Sequence, residues 1–126
     1  MAVAVLLGGV NMKHVVLLNE VASTDTAFEV RGANWVGRCL ICNGPMAFDR
    51  RTGEGASLEH IRARSRGGTD EALNLAIVHP QCNWEKGRRW DARRRRGVEE
   101  YEVFVARLLA RRQGRFRSRG ESNGND

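Results

Sequence analysis

Hydrophobic and polar positions change their spacing several times along the chain, and each change predicts a different element. Val15 to Leu18 and Thr26 to Arg31 are β-prone runs separated by the polar stretch Asn19 to Asp25, which predicts two strands paired as a hairpin or leaning on the core. Gly32 to Pro45 is rich in Gly and Asn and predicts tight turns. Ser57 to Arg62 predicts a short strand, Gly67-Gly68-Thr69-Asp70 a loop, and Leu73 to Val78 a second strand. Pro80 suits a helix N-terminus, and Gln81 through Arg96 keeps a helix-compatible composition apart from Gly87. After Gly97, the residues Tyr101, Phe104, Val105, Leu108 and Leu109 recur at i, i+3, i+4 and predict a helix over Val98 to Arg112, its stripe packing on the core or on a partner.

The last residues turn to Arg, Gly, Ser and Asn with one Phe, too little apolar surface to order themselves, and predict a mobile basic tail. The organisation is therefore a β-prone extension (1–34), a strand, loop, strand, helix domain (35–97), an amphipathic helix (98–113) and a tail (114–126). No internal repeat interrupts it. A chain of 126 residues fits one small α+β domain, whose modest core benefits from a structural metal.

Charge sharpens this outline. The net charge is +6, but Lys86 to Arg119 holds 13 Lys/Arg against four acids, about +9, so the remainder sums to about −3 (8 basic, 11 acidic). A polycationic stretch attracts phosphates through counterion release and serves RNA, acidic protein or anionic lipid equally well. The apolar first ten residues lack a basic n-region and are followed by Asn11, Lys13 and His14, which argues against secretion and membrane insertion. Met12-Lys13-His14 also reads as a translation start, an expectation that would make the first eleven residues an annotation artefact. Three cysteines, two of them in one Cys-x-x-Cys, fit a metal knuckle in a reducing cytoplasm better than a disulfide framework.

Cys39-x-x-Cys42 and His79-x-x-Cys82 form two pairs separated by 36 residues, the paired arrangement of a tetrahedral Zn²⁺ site. Four protein ligands close such a site, so it is structural and any catalysis lies elsewhere. Phosphodiester hydrolysis needs a water, a base and a charge-stabilising cation. Imidazole titrates near neutrality, which makes His60 the first candidate base. Glu59 is a hard oxygen donor and Asn83 adds a carbonyl oxygen, a set that suits Mg²⁺ or Mn²⁺ and leaves positions for water and phosphate.

The order Glu59-His60-Ile61, Gly67-Gly68-Thr69-Asp70, Asn74-Leu75, His79-x-x-Cys82-Asn83 and Lys86-Gly87, with Cys39-x-x-Cys42 upstream, resembles the HNH endonuclease family over Val36 to Arg89. The resemblance implies a treble-clef-like ββα-metal fold stabilised by zinc, with the 98–113 helix added. It implies that Glu59 and Asn83 bind the catalytic cation, that His60 is the general base, and that Asn74 orients the His60 ring through a hydrogen bond. Three positions depart from the frequent pattern, the first being Asn83 where the final metal position is often His. His79 replaces a cysteine, and Ala63 stands where a proline is common.

The implied substrate is DNA, double-stranded by expectation. Arg62, Arg64 and Arg66 alternate, so in an extended segment they point to one face and meet phosphates, or form a solvated edge. Lys86, Arg88, Arg89, Arg93, Arg94, Arg95 and Arg96 are read as backbone contacts that position DNA without choosing sequence. Trp84 and Trp90 nearby are read as packing residues. The leading reading is a DNA-cleaving, metal-dependent hydrolase. The alternative is a non-catalytic, zinc-stabilised nucleic-acid-binding module, and a third is a nuclease active only with a protein partner or as a homodimer through the 98–113 helix.

Overall fold

The computed structural model describes residues 6–7, 10–92 and 97–118. After a two-residue strand pair, β1 (Leu6–Leu7) and β2 (Val10–Asn11), comes helix α1 (Met12–Ser23). The expected strand at Val15 to Leu18 is therefore helical. Asn11 caps the helix by accepting a hydrogen bond from the His14 amide at 3.2 Å, and Val15, Leu18, Val21 and Ala22 recur at helical spacing and are all buried. Over twelve residues that stripe outweighs the local β preference of two adjacent valines.

A hairpin meander follows, β3 (Glu29–Arg31), β4 (Asn34–Arg38) and β5 (Pro45–Asp49), in the order β3-β4-β5. β3 pairs with β4, not with the 15–18 segment, through a two-residue turn in which Gly32 takes φ +60°. The Gly/Asn-rich segment thus contains a strand, and only Cys39 to Gly44 forms the tip between Arg38 and Pro45. Asn43 occupies the left-handed region there.

The strand, loop, strand, helix unit is present as expected. β6 (Ser57–His60) pairs antiparallel with β7 (Leu75–Val78), and α2 (Pro80–Lys86) starts with Pro80 in its first turn. One π-type turn, Gly87–Asp91, continues α2. All four residues of β7 are buried, as expected of a strand covered on both faces. α3 (Val98–Arg115) buries Tyr101, Phe104, Val105 and Leu108, so the stripe serves the chain's own core. Trp90 stacks on Phe104 with ring centroids 4.1 Å apart. No described helix is long and apolar enough to cross a membrane.

The end of α3 departs from the expected mobile tail. Gly114 and Arg115 are helical, the Thr26 amide donates to Arg115 O at 2.6 Å, and the Arg117 amide donates to Thr24 O at 2.9 Å. Residues 119–126 lie outside the described residues. Arg112 is fully buried and donates to the carbonyls of Leu75, Ala72 and Thr24 and to the Thr24 hydroxyl. Arg111 donates to Leu40 O and Ile41 O, and Arg115 to Arg38 O and Asn43 Oδ1. Much of the C-terminal positive charge thus binds the backbone of α1, β7 and the hairpin tip, where carbonyls at helix and turn ends need donors.

Arg112→Met should take one donor from each of the Leu75, Ala72 and Thr24 carbonyls and from the Thr24 hydroxyl. The expected destabilisation is about 3 kcal/mol or more, read as a lower denaturation midpoint; an unchanged midpoint would show that the arginine is ornamental.

Candidate functional site

The hairpin tip and the start of α2 bring four side chains together. Ligand atoms of Cys39, Cys42, His79 and Cys82 all lie within 4.8 Å of one another. Cys42 Sγ is 3.4 Å and Cys82 Sγ 3.7 Å from His79 Nδ1. A tetrahedron with Zn–S of about 2.3 Å and Zn–N of about 2.0 Å requires S···N near ~3.5 Å. His79 Nε2 lies 3.0 Å from the Pro45 carbonyl, which can only accept, so Nε2 carries the hydrogen and Nδ1 offers its lone pair to the cluster. Backbone amides approach the sulfurs, Gly44 N to Cys42 and His79 N to Cys39.

Burial raises the Cys42 thiol, but the Gly44 amide and neighbouring side chains outweigh it and bring the thiol down to about 7. At Cys82, burial and the charge of Cys39 act together and push the thiol up to about 12. Three thiols this close resist ionising together unless a cation sits among them. The donor set, its spacing and its second-shell hydrogen bond therefore fit Zn²⁺.

The expected catalytic residues sit on the adjoining β6, β7 and α2. Glu59 is buried, and Lys86 Nζ reaches its Oε2 at 2.5 Å as an ion pair without hydrogen-bond alignment. Desolvation raises the Glu59 carboxyl above the usual range, partly offset by Lys86. Lys86 also binds Asp91 at 2.8 and 2.9 Å and His60 O at 3.1 Å. It is 2 % exposed and joins α2 to β6 and the π-type turn. The reading of Lys86 as a DNA contact is corrected on this ground: an ammonium enclosed by two carboxylates cannot reach a phosphate. Its position three residues after Asn83 and five before Asp91 is the signal that sequence reasoning passed over.

Asn83 occupies the first turns of α2, partly exposed, on the helix face it shares with Lys86 at i+3. Its backbone amide donates to His79 O at 3.0 Å, and among the described residues no hydrogen bond engages its side-chain amide. With one Glu59 oxygen against Lys86, Glu59 Oε1 and Asn83 Oδ1 remain as oxygen donors.

Asn74, 8 % exposed, does not bind the His60 ring as the family resemblance implies. Its Oδ1 accepts from the Arg62 amide at 2.8 Å, and its Nδ2 donates to Arg62 O at 3.1 Å and Thr69 O at 2.7 Å. The side chain closes the loop between the strands. Gly68 is required there, because a Cβ on it would lie 1.7 Å from the Arg62 carbonyl oxygen, and Gly67 takes φ +87°. The closed loop carries Asp70 to the His60 ring, with Nε2···Oδ1 at 2.7 Å. Asp70 appears in the sequence motif with no assigned role.

The arginines after His60 do not share one face, because Arg64 to Arg66 form a 3₁₀ turn rather than an extended segment. Arg62 makes a bidentate pair with Glu102 of α3 at 2.6 and 2.7 Å, Arg64 pairs with Asp70, and Arg66 donates to Asp91 O and lies 4.6 Å over the Tyr101 ring. Their reading as a row of phosphate contacts is corrected accordingly. Arg88 and Arg89 are exposed on α2's extension beside Glu85. Arg93 to Arg96 lie outside the described residues. Trp84 is not a packing residue: it is 60 % exposed, with the Arg88 guanidinium 5.1 Å above its ring.

Two outcomes test this arrangement. Cys42→Ser should lose zinc and cooperative unfolding together, since metal binding here contributes to folding; elemental analysis finding no zinc in freshly purified wild-type protein would reject the knuckle. Lys86→Met should leave the buried Glu59 carboxylate and the half-buried Asp91 carboxylate without their cation and destabilise by about 3 kcal/mol or more, measured by chemical denaturation.

Neither the curated proteins nor the solved structures yield a match to the chain. A family model does: residues 39–89 match HNH, the HNH endonuclease family, over a stretch that contains both zinc-ligand pairs, Glu59, His60, Asn74 and Asn83. The matched stretch holds the strand, loop, strand, helix unit and the Cys/His cluster, so this α+β unit is similar to the HNH endonuclease family in sequence and consistent with its fold.

Proposed function

We propose that the protein is a metal-dependent endonuclease that hydrolyses DNA phosphodiester bonds, with His60 as general base and Glu59 and Asn83 as ligands of a catalytic divalent cation. The observation that carries this reading is the convergence of β6 and α2. Lys86, three residues after Asn83 on α2, reaches both Glu59 and the His60 carbonyl of β6, outside the closed Cys/His cluster.

His60 Nε2 is engaged by Asp70, which leaves Nδ1 as the atom that takes a proton from water. As that proton moves to the imidazole, the water oxygen bonds to phosphorus and the ester P–O bond breaks. When bound at Glu59 Oε1 and Asn83 Oδ1, Mg²⁺ or Mn²⁺ supplies Lewis-acid stabilisation of the phosphate and the leaving oxygen. Lys86 holds the other Glu59 oxygen and keeps the carboxylate in one rotamer. Asn74 acts at a distance from the chemistry, as the residue that shapes the loop. Arg88, Arg89 and the run Arg93 to Arg96 are the cations we assign to phosphates flanking the cut, and Trp84 lies beside Asn83 on the same exposed stretch.

A non-catalytic binding module is the competing function. It has no use for an acid next to a paired histidine, which favours catalysis. Supercoiled plasmid, incubated with Mg²⁺ or Mn²⁺ and with EDTA, discriminates the two. Wild-type protein should nick or cut it only with the divalent ion. His60→Ala should lower the rate at least 100-fold while zinc content and DNA affinity hold, because general-base catalysis contributes about 10²–10⁴. Full activity in His60→Ala, free of contaminating nuclease, removes the base from His60.

A further inference from the structure

We infer that Asp70 is the positioning residue of the His60 ring, accepting the Nε2 hydrogen and so fixing the tautomer that leaves Nδ1 free. This rests on the reading of His60 as general base and replaces the role that family resemblance implies for Asn74.

Four observations support it. Asp70 Oδ1 is 2.7 Å from His60 Nε2, a charge-assisted distance. Arg64 binds both carboxylate oxygens at 2.7 and 2.9 Å, so the carboxylate plane is fixed rather than free to rotate. The Asp70 carboxyl is held below the usual range, by the His60 hydrogen bond first and Arg64 second, so a carboxylate that can only accept faces Nε2 at 2.7 Å, while the Arg64 Nε contact to the same nitrogen is the longer one at 3.4 Å. Finally, the loop that bears Asp70 has one path. Asn74 ties Arg62 to Thr69, Gly68 N donates to Ala63 O at 2.9 Å, and Gly68 tolerates no side chain.

In chemical terms, the imidazole that has taken a proton at Nδ1 is a cation next to the Asp70 carboxylate. The pair therefore stabilises the protonated base as it forms, and it holds the ring at the angle that water transfer needs. Arg64 keeps Asp70 in place, and its Nε also lies 3.4 Å from His60 Nε2, the ring nitrogen that does not take the proton. Both Asp70 and Arg64 are well exposed, so the contribution is smaller than for a buried dyad.

The test uses the full-length zinc-loaded protein. A long-range ¹H–¹⁵N correlation spectrum, taken with the ring neutral, should show wild-type His60 as a single Nε2–H tautomer, and Asp70→Ala should show the two ring nitrogens averaged toward free imidazole. In parallel, Asp70→Ala should lower turnover at saturating plasmid by about 10- to 100-fold with DNA affinity changed less than about twofold. Averaged nitrogens in the wild type, or identical spectra for wild type and Asp70→Ala, overturn the assignment. The wild-type spectrum alone decides should Asp70→Ala fail to fold. Failure of the base reading shows separately, as undiminished cleavage by His60→Ala, and leaves the spectral result to judge the pairing.

Discussion

One enclosed ammonium holds the ββα unit in its present form. Lys86 Nζ is surrounded by the Glu59 and Asp91 carboxylates and the His60 carbonyl, and so links the end of β6, the last turn of α2 and the π-type turn at one point. Enclosing one cation with two anions is expensive in desolvation, and the arrangement holds because every partner is charged or a carbonyl and lies within about 3 Å. The consequence reaches beyond stability. Glu59 stays where a second cation can share it, and the His60 backbone is anchored at the same point that the side chain leaves it.

The Cys/His cluster is suited to the equivalent task at the other end of α2. Its side chains come from the β4–β5 tip and from the β7–α2 junction, elements far apart in sequence, so a single ion held there would join the hairpin to the ββα unit. Arg111 and Arg115 add donors to the carbonyls of the same tip. The knuckle is thus clamped by α3 as well as by the metal it fits. This explains why α3 continues to Arg115, past the last apolar residue of its stripe.

Much of this was legible in the sequence, and the failures have physical causes. The two ligand pairs, the strands around Glu59 and Asn74, Pro80 at a helix start and the apolar stripe of α3 all follow from spacing that only one structure satisfies. α1 was read as strand because Val15-Val16 is locally β-prone, while the cap at Asn11 and the stripe ending at Ala22 act over a longer range. The basic residues misled for another reason. A count of charges says nothing of which are enclosed, and Lys86, Arg62, Arg66, Arg112 and Arg115 all have partners on distant elements that periodicity cannot supply.

The Asn74 result shows how a motif residue can keep its position and change its means. A buried amide with two donors and one strong acceptor is suited to bridging backbone, and here it satisfies the Arg62 amide, the Arg62 carbonyl and the Thr69 carbonyl at once. The three bonds fix the path of the chain between β6 and β7, with Gly67 and Gly68 absorbing the two turns that no other residue could make. What the loop then presents to His60 is a carboxylate rather than an amide. A carboxylate differs in kind from an amide at that place, since it carries charge and can only accept. The asparagine therefore governs the histidine through nine residues of backbone geometry, and the charge that faces the ring is chosen by the residue at position 70.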